Sequence, residues 1–178
     1  GVQTCALPIW FEPGDIARIA ELPAVGRLVA LRSQNVVLDA RQPPVALLAR
    51  DIDAARPDAL PLVERGDAAR MGALPPAWIS EAMVDLYGWR PGDAVVIALA
   101  GVERRFAVAG VWRDYARQTG AVIVERARYA ALTGDGRANE VWLWLAPGAM
   151  VADLRDQLRR ALPDADGLDE RVAATIRE

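Results

Sequence analysis

The chain of 178 residues contains no histidine and no lysine, and its one cysteine is Cys5. Without histidine, the usual Cys/His zinc sites are excluded. The Ser-His-Asp and Cys-His nucleophile systems are excluded with them. One cysteine makes no intrachain disulfide framework, so cysteine usage says nothing about the redox compartment. The missing lysine removes the cation that a G-x-x-x-x-G-K-[ST] phosphate loop needs. Long apolar runs are absent too. Ala94 to Ala100 is unbroken, but a bilayer span needs about 20 residues. Any membrane-spanning helix would therefore lie outside this sequence. What remains open to chemistry is carboxylate catalysis and oxygen-ligand metal binding.

What is present is a globular composition. The sequence is 53% hydrophobic and 25% charged, enough apolar material for a packed core rather than a disordered chain. The net charge of −3 offers no electrostatic draw to nucleic acid. Every basic residue is an arginine, and these are scattered rather than clustered. That pattern reads as the codon bias of a GC-rich genome rather than as a phosphate-binding surface. The segment Gly1 to Ile9, GVQTCALPI, resembles a translated sequencing adapter. Residues 1–9 are therefore expected to be a non-native leader, set aside before fold reasoning, and residues 10–178 to be the domain proper.

Pattern reading predicts short elements of both kinds. Pro13-Gly14-Asp15 opens a helix with Asp15 as its N-cap and Ile16, Ile19 and Ala20 on one face. Arg27 to Arg32 and Val36 to Leu38 read as two strands about a polar turn, Ser33-Gln34-Asn35. A strand follows at Val45 to Ala49. Asp51 to Gly72 reads as loop with one short strand. Ala77 to Ile79 is a strand, and Ser80 caps a helix from Glu81 to Tyr87 that Gly88 closes. Ala94 to Ala100 and Arg104 to Trp112 form a hairpin about Gly101-Val102-Glu103. Val122 to Val124 is a strand, Arg126 to Leu132 a helix ended by Gly134, and Asn139 to Leu145 a strand. Val151, Leu154, Leu158 and Leu162 space an amphipathic helix. Val172 to Ile176 is expected to be a last strand or a segment leading away. Frequent hairpins among alternating strands and helices predict an α+β fold with a mixed or antiparallel sheet. The sequence allows two lobes, with a boundary between Gly66 and Pro76.

Candidate chemistry is sparse. Asp51 and Asp53 form a D-x-D pair without the rest of a calcium loop, so a solvated loop is the better reading. Gly134-Asp135-Gly136 reads as a turn. Asp85 and Asp93 could be drawn as an acid/base pair, but Asp93 after Pro-Gly is more simply a turn residue. Trp142 and Trp144 fall on one face of a strand, and core packing is favoured over an apolar cargo groove. The segment that concentrates binding chemistry is Trp112, Arg113, Asp114, Tyr115, Arg117 and Gln118. It joins aromatics and planar charges of the kind enriched at binding hot spots, and it is taken as the candidate partner or cargo site. No catalytic residue and no metal ligand is assigned.

An ordered set of motifs carries a family resemblance. Trp78-Ile79-Ser80-Glu81-Ala82 is followed by Leu86-Tyr87-Gly88 and Pro91-Gly92-Asp93. Phe106 through Tyr115, then Gly120-Ala121-Val122-Ile123-Val124, Tyr129, and Val141 to Leu145 before Pro147-Gly148 complete it. In this order they resemble the ectodomain of FtsX-like ABC-transporter permeases, whose members carry a MacB-like periplasmic core domain. The resemblance covers about Pro43 to Leu162, and within the family it is similar to the second ectodomain of the large, YbbP-like permeases. It implies a parent in the bacterial inner membrane, with this domain on the periplasmic side between flanking membrane helices. It further implies a cytoplasmic ATPase subunit that binds the ATP, so this domain itself would hold no cofactor. The implied task is not enzymatic: extraction or export of lipids, lipoproteins or hydrophobic substrates, or transmission of force to a periplasmic protein. The competing expectation is a free-standing periplasmic binding or adaptor module, which would follow a signal peptide and end soon after Glu178.

Overall fold

A computed structural model of the chain describes residues 10–52, 60–67 and 72–162. The segment Val172 to Ile176 and residues 1–9 lie outside the described residues. Four helices and eight strands make up the α+β architecture among the described residues: α1 (Pro13–Ala20), β1 (Val25–Val36), β2 (Val45–Arg50), β3 (Leu62–Arg65), β4 (Pro76–Ser80), α2 (Glu81–Tyr87), β5 (Ala94–Leu99), β6 (Val102–Trp112), β7 (Ala121–Glu125), α3 (Arg126–Thr133), β8 (Glu140–Leu145) and α4 (Val151–Ala161). The chain divides into two compact units. Leu31 and Arg137 close the parts of the first, and Arg32–Gly136 is the second, inserted between them. The boundary expected between Gly66 and Pro76 falls inside the second unit.

In the second unit the strands run in the order β3-β6-β4-β7-β2, with β1 beside β2 and β5 also on β6. Pairing is mixed. β2 with β7 and β4 with β6 are parallel, while β4 with β7, β3 with β6 and β5 with β6 are antiparallel. Sequence pattern tracks position. The interior strands β2 (VALLAR) and β7 (AVIVE) are buried along nearly their whole length, so they read as continuous apolar runs. β5 alternates exposed and buried residues, as expected where one face meets the core and the other water. Val45, Leu47, Ile79, Ile97, Phe106, Val108 and Val122 form the fully buried core. Each such side chain removed from water contributes about 1.5–3 kcal/mol. Helix α3 packs on β7, β2 and β5, and α2 on β4 and β7.

The first unit is a two-stranded ribbon backed by two helices. β1 and β8 are antiparallel, with Leu28 opposite Leu143 and Val29 opposite Trp142. Leu28 and Leu143 pack with Ile19 of α1 and with Leu154 and Leu158 of α4. Leu162 joins the same cluster, so the predicted spacing of α4 is the buried stripe.

Four local expectations are corrected. Asp15 is not the N-cap of α1. Pro13 occupies the first turn, where its missing N–H costs nothing, and this moves the cap to Glu12. Asp15 instead accepts from the Glu12 backbone N–H at 2.9 Å, the return arm of a capping box. Ser33-Gln34-Asn35 is not a turn but the end of β1. Arg32 organises this polar stretch by donating to the Ser33 carbonyl, Gln34 Oε1 and Asp135. The β5–β6 turn is Ala100-Gly101, both at positive φ, the geometry of a two-residue type I′ turn. Ser80 stands at the N-cap of α2, yet its hydroxyl makes no cap bond. It is fully buried and accepts from the Ala121 N–H at 2.9 Å, tying β4 to β7. Gly88 and Gly134 close α2 and α3 as read.

Candidate partner interface

The loop after β6 is built on a fixed base. Trp112, the last residue of β6, pairs with Ser80 of β4 and Leu62 of β3. Its ring is buried, and its Nε1 has no hydrogen-bond partner among the described residues. Arg113 then turns outward. Its backbone N–H donates to the Pro61 carbonyl at 3.1 Å, and its guanidinium forks onto the two Glu81 carboxylate oxygens at 3.3 and 3.4 Å. Glu81, and after it Tyr115, hold the Arg113 guanidinium above its ordinary pKa.

Asp114 is the inward member. Its side chain is only 3% exposed and accepts from the Ala116 N–H at 2.9 Å and from Arg117 at 3.2 Å. An Asp carboxylate accepting from a backbone two residues on is a self-contained turn, and Arg117 supplies the counter-charge that makes its burial tolerable. The outcome is that Tyr115 projects, 87% exposed. Gln118 is exposed beside it. The loop closes at Gly120, where φ is +94° and an added Cβ would lie 2.6 Å from the Met83 sulfur. Arg113, Asp114, Tyr115, Arg117 and Gln118 thus belong to one clamped loop that starts from the buried Trp112 at the end of β6, with an aromatic tip, a half-exposed arginine on each side and a buried carboxylate beneath.

The other candidate residues do not assemble. Asp51 is engaged by Arg126 at 2.9 Å, and Asp53 lies outside the described residues. Asp135 pairs with Arg32 at 3.2 Å and donates its N–H to Thr133 Oγ1, so Gly134-Asp135-Gly136 is a turn. Asp93 accepts from the Arg90 N–H at 2.8 Å, the turn role read for it. No cluster of acidic or sulfur ligands suited to a metal exists among the described residues. Trp142 and Trp144 are not core residues. Trp144 is 43% exposed, because the opposite face of β8, through Leu143, is the one that meets α4. Two features escaped sequence reading. Glu81, the first residue of α2, is also the counter-ion of Arg113, 32 residues away. Arg27 lies 4.4 Å over the Trp144 ring. Neither pairing leaves a local sequence signal, since both depend on tertiary register.

No protein-family model matches the chain, and no curated protein does. Solved structures do match. The extracellular domain of YknZ, an ABC-type transporter from Gram-positive bacteria, has a TM-score of 0.64 at 15% identity, covering 90% of this chain and 87% of that one. The periplasmic region of MacB from Actinobacillus actinomycetemcomitans has a TM-score of 0.61 at 13% identity, over 92% of this chain and 83% of that one. A permease domain from Porphyromonas gingivalis has a TM-score of 0.51 at 15% identity, over 91% and 74%. The chain has the fold of the extracytoplasmic domains of ABC-type permeases, and the α+β class expected from its sequence is the class found.

Proposed function

We propose that residues 10–178 are the extracytoplasmic domain of an FtsX-like ABC permease in the bacterial inner membrane, with residues 1–9 a foreign leader. The supporting observation is the length of the structural match: nine-tenths of the chain follows the extracellular domain of YknZ, which is itself almost fully covered. The ordered motifs from Trp78 to Gly148 favour the same reading. The domain performs no chemistry of its own. A cytoplasmic ATPase binds and hydrolyses ATP, and the membrane segments carry the resulting movement outward. The loop of Trp112, Arg113, Asp114, Tyr115, Arg117 and Gln118 meets a periplasmic protein or a lipid or lipoprotein cargo. A loop held by its own ion pairs loses little conformational entropy on binding, and preorganisation of this kind favours affinity.

The test is the parent reading frame, sequenced from the source DNA. Apolar segments of span length on both sides, with an ATPase gene adjacent, are expected. A signal peptide upstream and a stop codon soon after Glu178 would sink the permease reading in favour of a periplasmic adaptor. In the whole permease, Tyr115→Ala is expected to lower transport or partner binding at least tenfold, a typical hot-spot loss, without moving the melting temperature. Unchanged activity removes the loop from the site.

A further inference from the structure

The backbone enters the second unit at Arg32 and leaves it at Gly136. A pull carried along the chain therefore reaches this unit as a force that separates its own two ends. Those ends are fastened to each other and to the core. On the entry side, Arg32 donates through Nε to Asp135 Oδ2 at 3.2 Å, and through its other nitrogens to the Ser33 carbonyl at 2.9 Å and Gln34 Oε1 at 3.2 Å. On the exit side, Arg126 at the head of α3 donates to the Gly136 carbonyl at 3.3 Å and to Asp51, just past β2, at 2.9 Å. The Asp135 N–H donates to Thr133 Oγ1 at 3.1 Å, and that hydroxyl donates to the Tyr129 carbonyl at 2.8 Å. Tyr129 belongs to the buried core of the unit.

We propose that Arg32 and Arg126 form a latch that holds the entry and exit of the second unit together under load, so that a pull arriving through the backbone moves this unit as a body instead of prising it open. An exposed ion pair would be too weak for this task. The Arg32 and Asp135 side chains are only 12% and 18% exposed, and a pair held out of water is screened little by salt. The planar guanidinium also matters. Its fork lets Arg32 hold three acceptors at once, which the single ammonium of a lysine does not. The order of the bonds suits a load path. Force at Gly136 passes to Arg126 and Asp51, force at Asp135 passes to Arg32 and, through Thr133, to Tyr129, and both routes end on elements of the sheet and core. The source of the pull rests on the permease reading, in which membrane segments move this domain. The latch itself does not depend on it.

The experiment stretches the full chain in an optical trap by handles at its two ends. Once the first unit has opened, the load reaches Arg32 and Gly136, and the unfolding of the second unit is recognised by the length it releases. Forced unfolding reports the unfolding rate. Asp135→Asn and Arg32→Lys are each expected to speed this step about tenfold at a given force, the loss of one hydrogen bond to a charged group, with the opening of the first unit unchanged. The double variant is expected to unfold no faster than either single one, since both remove the same pair. In the unloaded chain, amide hydrogen exchange is expected to rise at residues 32–36 and 133–136 while β2 and β7 keep their protection. An unchanged unfolding rate in Asp135→Asn overturns the proposal, as does an Arg32→Lys variant as resistant as the parent. So does exchange that rises evenly through β2 and β7, which would make the pair an ordinary contributor to stability. The reading frame passes or fails independently: a latch found in a chain without flanking spans would stand, and the permease reading would fall.

Discussion

Tyr87 shows how one atom can set the sign of a mutation. Its ring packs 5.5 Å from that of Trp89, on the edge of the second unit's core. Its hydroxyl is buried without a hydrogen-bond partner among the described residues. Burial, and next the charge of Asp39, push its phenol above the ordinary value of 10.0. A buried donor left unmatched costs about 1–3 kcal/mol, so Tyr87→Phe is expected to raise the urea midpoint, by about 1 kcal/mol in stability. The folded phenol keeps its proton where the unfolded one begins to lose it. Stability is therefore expected to fall as pH rises past 10.0, and the Phe variant should lack that part of the fall. Gly120 has the opposite sign. A side chain there meets both a positive φ and the Met83 sulfur. Gly120→Ala is expected to cost about 2–3 kcal/mol by denaturant titration, at the upper end for strained backbone. A neutral result would mean that Met83 repacks and that the base of the Tyr115 loop is soft.

The β5–β6 hairpin turns through Ala100 at φ +49°, a conformation that costs an ordinary L residue about 1–2 kcal/mol and that asparagine adopts more readily. Ala100→Asn builds the preferred Asn-Gly turn and is expected to raise the thermal midpoint, a gain of about 1 kcal/mol. If stability drops, the turn is not of this type. The same hairpin shows what local sequence can and cannot convey. Both strands were legible from β-branched runs, because their burial pattern is written in the side chains. The turn was misplaced by one residue, because Ala100 carries no turn signal and only the pairing of Leu99 with Val102 forces it. The helices α2 and α3 were legible from their closing glycines, and α4 from its leucine spacing. Ser33-Gln34-Asn35 was misread because polar residues favour turns locally, while Arg32 holds them extended from outside the segment. The candidate loop was legible as a density of binding residues. Its shape was not, since the clamp depends on Glu81 and Pro61, which are distant in sequence.

The division into an inserted unit and a surrounding one was not readable from composition, because β1 crosses the boundary between Leu31 and Arg32 without a break. Proline and glycine mark loops, and this junction is in the middle of a strand. The second unit is continuous in sequence and holds its own buried core. Residues 32–136 expressed alone are expected to unfold cooperatively in urea. A broad transition without a baseline would show that this core depends on the rest of the chain. The ordered motifs that carried the family resemblance fall mostly within this unit, which is why the resemblance could be seen while the surrounding unit was described only as separate strands and helices.

The insertion also fixes an order of events at the ribosome. β1 is made early, but β8, the partner of its first half, follows only after Arg32 to Gly136 has been synthesised. Until then Leu28 has neither Leu143 beside it nor Leu154 and Leu158 to cover it. The second unit can fold as soon as it emerges, as domains generally do during synthesis. The first stays an open half with an unpaired strand edge until its last helix arrives. A chain paused when Gly136 has emerged while β8 and α4 are still inside the ribosome therefore presents a finished inserted unit and an adhesive surrounding one, and that interval is when this chain most needs a chaperone.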